Sequence, residues 1–194
     1  MPTEREWVRG FTKRLDSALD AMRGADVCAV DGMRLAYACE VHKYALDETP
    51  EVSTTKYETD ILVFDRYADG SWIPRVVIEC KLKDVTTHDA LTYSAKAVTH
   101  RAVHPYLRYG FLAGQRRSYG IPPRLVRHGE NFDFLLTWRS LKASPAEWRA
   151  FVATVKREVK ASRALQDVLK NNYAAGHQKY DLIHSSIRMR RQRR

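Results

Sequence analysis

The chain has 194 residues, 44% hydrophobic and 29% charged, which allows one sizeable core and excludes a fibre or a wholly disordered chain. No apolar run approaches the roughly 20 residues that span a bilayer, the opening residues do not resemble a secretory signal, and Cys28, Cys39 and Cys80 are too scattered for a disulfide framework or a structural zinc site, so a cytoplasmic protein without membrane contact is expected. The net charge of +10 is uneven: residues 1–100 carry 13 basic against 17 acidic side chains, net −4, and residues 101–194 carry 20 against 6, net +14, a polarity suited to holding a polyanion with one part and a cation with another.

Thr3-Glu4-Arg5-Glu6 has the form of a capping box, and Trp7, Val8, Phe11, Leu15, Leu19 and Met22 recur at helical spacing. A first helix is predicted to run to about residue 24, with that stripe in the core. A second helix is predicted over 32–47, burying Met33, Tyr37, Val41 and Tyr44. Glu40 falls on or beside this stripe, where a carboxylate needs a partner, either a metal or a nearby Lys or Arg. Residues 49–55 have loop composition.

Two strand-like runs follow, Ile61-Leu62-Val63-Phe64 and Val76-Val77-Ile78, joined through the turn sequence Ala68-Asp69-Gly70-Ser71. Glu79 and Lys81 close the second run and, two apart on a strand, project to the same face. Antiparallel pairing then brings Asp60, which opens the first run, to both of them at one edge of the sheet. Asp65 is the rival upstream acid, but it ends its run and falls at the turn end.

Thr86-Thr87-His88-Asp89 starts a helix over 87–104 that stops before Pro105, and a strand is predicted over 107–113. Six arginines and no acid lie between Arg101 and His128. The loop 114–120 within this region has the residue types that contact phosphates and base edges. Arg101, Arg116 and Arg117 are therefore candidate DNA contacts, together with Lys83 and Lys96, which lie close to the Glu79 run; His88 and Tyr93 are further lining residues. His100 and His104 are four apart, but no third ligand has matching spacing, so both read as core or surface histidines.

Residues 132–138 form a further short strand, and Ser144-Pro145-Ala146-Glu147 starts a helix to about residue 171 that buries Trp148, Phe151, Val152, Val155, Val159 and Leu169. Residues 1–187 read as one domain, with a core over about 32–138 and a helical C-terminal part over about 144–187. Residues 188–194 read as a flexible basic tail that adds salt-sensitive affinity for nucleic acid.

Hydrolysis of a phosphodiester needs a metal to polarise the phosphoryl oxygen and activate a water, and a positive group for the charge that builds up. Asp60 and Glu79 offer the hard oxygen ligands that Mg²⁺ prefers, with the main-chain carbonyl of Cys80 as a further ligand and Glu40 as a second-site or water-mediated one. Lys81 would orient the water or stabilise the transition state. Thr59-Asp60 before one strand and Glu79-Cys80-Lys81 closing the next, followed by a helix and a strand, is similar to the pattern of the PD-(D/E)XK nuclease superfamily, whose best-known members are type II restriction endonucleases. The resemblance covers about residues 32–114 and departs at Thr59, where the family has proline. It implies a mixed α/β fold with a central sheet flanked by helices, the residue roles just given, and an assisting acid from a preceding helix, the place assigned to Glu40. The expected activity is a Mg²⁺-dependent endodeoxyribonuclease of restriction type, with Mn²⁺ as substitute metal. It would act on double-stranded DNA as a homodimer, since two cuts need two sites about a two-fold axis. A repair or recombination nuclease and a non-catalytic nucleic-acid-binding protein are the alternatives.

Overall fold

The computed structural model describes residues 2–20, 22, 26–116 and 120–171. The Thr3 hydroxyl accepts the Glu6 N–H and the Glu6 carboxylate accepts the Thr3 N–H, so the expected capping box starts α1 (Glu4–Leu19). Then come β1 (Asp26–Asp31), β2 (Arg34–Tyr44), β3 (Pro50–Glu58), β4 (Ile61–Arg66) and β5 (Trp72–Leu82). The order continues with α2 (Thr87–Val103), β6 (Arg108–Gly114), α3 (Pro123–His128), β7 (Phe134–Thr137) and α4 (Pro145–Asn171). The fold is mixed α/β. Its five-stranded sheet has the order β1-β4-β5-β6-β7, antiparallel through β5 and parallel from β5 to β7. Among the described residues no helix is long and apolar enough to cross a membrane.

The sheet is covered on both faces. Trp7, Phe11 and Leu15 of α1 and Phe151 and Val155 of α4 pack on Ile61, Val63, Val76 and Ile78. The opposite face, with Leu62, Val77 and Tyr109, packs against Ala97 of α2, and Phe111 packs with Ala90 of α2 and Leu125 of α3. A capping box between Thr86 and Asp89 starts α2, and reciprocal bonds between Ser144 and Glu147 precede α4, both as the sequence predicts. Leu169, expected to be buried, is exposed.

The predicted helix over 32–47 is instead strand β2, paired antiparallel with β3, which takes up the stretch that reads as a loop. Gly32, at φ +70°, turns the chain out of β1 instead of starting a helix. Beyond it, the β-branched and aromatic residues of both strands satisfy their main chains against each other, and this pairing overrides the helical spacing of the apolar residues. β2 and β3 form a separate two-stranded ribbon, exposed along almost its whole length. Neither β1 nor the six-residue α3 was expected from the sequence. Residues 172–187 of the expected helical C-terminal part and the basic tail 188–194 lie outside the described residues.

α4 is tied to the sheet by buried ion pairs. The β4–β5 ladder skips Arg75, pairing Val63 with Val76 and Phe64 with Pro74. Arg75 is buried and its Nε lies 2.7 Å from Asp65 Oδ2, while Arg163 of α4 places Nη2 2.7 Å from Asp65 Oδ1. Arg108 of β6 likewise bonds Glu158 of α4 at 2.9 Å and Asp133 at 3.0 Å. Removing one partner of such a pair leaves a buried charge uncompensated. Asp65→Ala is therefore expected to cost about 3–5 kcal/mol in urea unfolding; a loss below about 1 kcal/mol, the worth of an exposed pair, would contradict this role.

Candidate functional site

The antiparallel register pairs Ile61 with Ile78, so Asp60, one residue before, faces Glu79, one residue beyond. Asp60 Oδ2 accepts the Cys80 N–H at 2.7 Å, and the Asp60 and Glu79 carboxyl groups lie close enough that each acts on the other's ionisation. Glu79 is only 1% exposed, and its Oε1 accepts the Tyr109 hydroxyl at 2.7 Å. Burial, with the Asp60 charge beside it, pushes the Glu79 carboxyl up to about 8; burial also raises Asp60, against the Cys80 N–H that lowers it. Lys96 of α2 places Nζ 3.5 Å from Glu79 Oε1.

Lys81 shares the Glu79 face of β5, as expected, but its ammonium pairs with other acids. Nζ lies 3.5 Å from Asp89, the capping acid of α2, and 3.9 Å from Glu4 in the first turn of α1. Glu4 in turn accepts the Leu82 N–H at 2.7 Å. Two helix starts thus converge on the end of β5. A cleft of about 350 Å³ opens beside them, lined by Glu4, Arg5, Asp31, Glu58 and Asp60 among others.

Other expected site residues lie elsewhere. Glu40 is on the exposed ribbon, 3.5 Å from Ser53 Oγ. It is seven residues beyond Met33, whose carbonyl accepts the Thr59 N–H at 3.0 Å, so it stands roughly 20 Å along the ribbon from Asp60. Glu40 is therefore corrected as both ligand and catalytic acid: without a helix there, nothing turns it to the site. The acid that a preceding helix does bring is Glu4. Asp65 is held at the turn end by Arg75 and Arg163, so of the two upstream acids only Asp60 lies beside Glu79.

Arg101 is corrected as a DNA contact, because it is spent inside the fold on the Leu107 and Asn131 carbonyls and the Asp133 carboxylate. Lys83 is exposed in a left-handed conformation, φ +63°, held by its N–H to the Gly114 carbonyl at 2.9 Å. Arg116 donates to the Lys83 carbonyl at 2.9 Å and lies 3.6 Å from Asp84. Arg117 lies outside the described residues. Lys96, expected to line the site or contact the scissile phosphate, stands at the acid pair. His100 is buried between the Tyr57 and Tyr109 rings, and burial lowers it to about 4, in keeping with a core histidine.

Among the described residues no group of three or more His, Cys, Asp or Glu is assembled for a metal. The donor set is smaller, consisting of two carboxylates and the adjoining main chain. It fits Mg²⁺, which is often held by one or two carboxylates with water and substrate phosphate completing the shell. The buried Cys80 side chain packs in the core on the other face of β5, leaving its main chain at the site. The sequence hid Glu4 as an ordinary capping-box residue and Tyr109 as one more apolar position of β6. No protein-family model matches the chain, and no curated protein matches it significantly.

The native Glu79 carboxyl keeps its proton to about pH 8, whereas an unfolded glutamate releases it near 4.3. Between these values the native state binds more protons than the unfolded state, so the metal-free protein loses stability as pH rises through that window. Glu79→Gln keeps the hydrogen-bonding shape without the charge. Urea unfolding in EDTA at about pH 6.5 and about pH 8.5 should show the wild type losing about 2 kcal/mol more than the variant. Equal losses would contradict the raised Glu79.

Proposed function

We propose that this chain is a Mg²⁺-dependent endodeoxyribonuclease with a PD-(D/E)XK core, acting on double-stranded DNA as a homodimer in the manner of a type II restriction enzyme, with Mn²⁺ as a substitute metal. The observation that carries this reading is the buried Asp60–Glu79 pair on adjacent antiparallel strands, with Lys81 on the same face and a helix and a parallel strand following. Two carboxylates brought together in a low dielectric oppose folding when both are ionised, and Lys96 offsets only one of the two charges. A cation binding between them would reverse that sign.

Asp60, Glu79 and the Cys80 carbonyl would hold the ion. When bound, it would polarise the scissile phosphoryl group and make a water acidic enough to attack at neutral pH. The chain's own residues do the rest. Tyr109 and the Cys80 N–H fix the two carboxylates on the sheet end. Glu4 and Asp89 hold the Lys81 ammonium at the mouth, where it would orient the attacking water or meet the charge on the pentavalent phosphorus. Attack by the water, whose proton passes to solvent, forms the new P–O bond as the P–O bond to the leaving sugar oxygen breaks, and that oxygen takes a proton from solvent water. The net charge of +14 over residues 101–194 supplies long-range attraction for the DNA backbone.

Supercoiled plasmid incubated with the protein should be cut in Mg²⁺ or Mn²⁺ and remain intact in EDTA. Asp60→Ala and Lys81→Ala should each lower the rate by about a hundredfold or more, with unchanged circular dichroism. Cutting that persists in EDTA, or in both variants, would overturn the reading.

A further inference from the structure

Lys96 lies outside the Thr59-Asp60 and Glu79-Cys80-Lys81 motif, yet among the described residues its ammonium is the only one that ion-pairs with the buried acids. It rises from α2, places Nζ 3.5 Å from Glu79 Oε1, and lies over the rings of Tyr93 at 5.2 Å and Tyr57 at 5.7 Å. The carboxylate and the two rings hold it, and its side chain is 22% exposed, which leaves part of the ammonium open to solvent. Lys81 stands apart from the acid pair, with its ammonium against Glu4 and Asp89.

We infer that Lys96 is the second cation of the site, standing where a second divalent ion would otherwise bind, so that each chain takes one metal. This rests on the proposed metal-nuclease function. The charges support it: with both carboxylates ionised, Asp60, Glu79 and Lys96 carry a net −1, and one divalent ion brings this to +1, a match for one scissile phosphate. A second divalent ion would add two charges beside a fixed ammonium in a site that water barely enters, and the ammonium excludes it.

The test counts metal ions by equilibrium dialysis of the full chain against Mn²⁺, alongside plasmid cleavage. Wild type and Lys96→Arg, which keeps the charge, should each bind one Mn²⁺ per chain. Lys96→Met, with the fold checked by circular dichroism, should bind two. Its cleavage should fall by about tenfold or more at low Mn²⁺, recover as the metal is raised, and show a steeper metal dependence than wild type. Two ions bound to the wild type would overturn the inference while leaving the nuclease reading standing, as would one ion and an unchanged rate in Lys96→Met. A wild type that binds no Mn²⁺ and cuts nothing would overturn both.

Discussion

The two carboxylates at the start of β4 and the end of β5 are brought together by strand register. Once Ile61 pairs with Ile78, Asp60 and Glu79 have nowhere else to go. The surrounding sheet removes water from Glu79 almost completely, so without a cation the pair is stable only by keeping a proton. Much of the local architecture follows from this constraint. The Cys80 N–H donates to Asp60 and the Tyr109 hydroxyl to Glu79, and α2 is set so that Lys96 reaches Glu79 while Asp89 reaches Lys81.

The other end of the same hairpin provides a control. Asp65 is as buried as Glu79, but two guanidinium groups surround it, and Asp133 and Glu158 likewise receive arginines. Arginine makes bidentate bonds that offset much of the desolvation of a buried carboxylate. The fold is therefore able to neutralise buried acids fully, and does so wherever an acid ties α4 or the loop before β7 to the sheet. At Asp60 and Glu79 it supplies one lysine for two acids. This deficit lies beside an open cleft, and on the proposed function a bound cation makes it up.

The central hairpin, α2, β6, β7 and α4 were legible because local signals agreed with the tertiary structure: turn residues, capping boxes and apolar runs of the right length. The ribbon was not. Met33, Tyr37, Val41 and Tyr44 have helical spacing, and only the partner strand, rich in threonine and read as a loop, shows that they belong to a sheet. That error carried Glu40 into the site, because the acid expected from a preceding helix was sought in a helix that does not form. Glu4 fills the position instead, delivered by a contact 78 residues distant in sequence. Lys96 and Arg101 illustrate the same limit. Both are bases on α2, five residues apart, and only the packing of that helix turns one to the acid pair and the other to Asp133.

The most direct test of the acid pair is the number of protons displaced when Mg²⁺ binds. Calorimetric titration of the full chain near neutral pH, in buffers of different ionisation enthalpy, should show about one proton released per Mg²⁺ bound, and none for Glu79→Gln, because a metal takes carboxylates only in their deprotonated form. Absence of binding by the wild type, or binding with no proton released, would contradict the account.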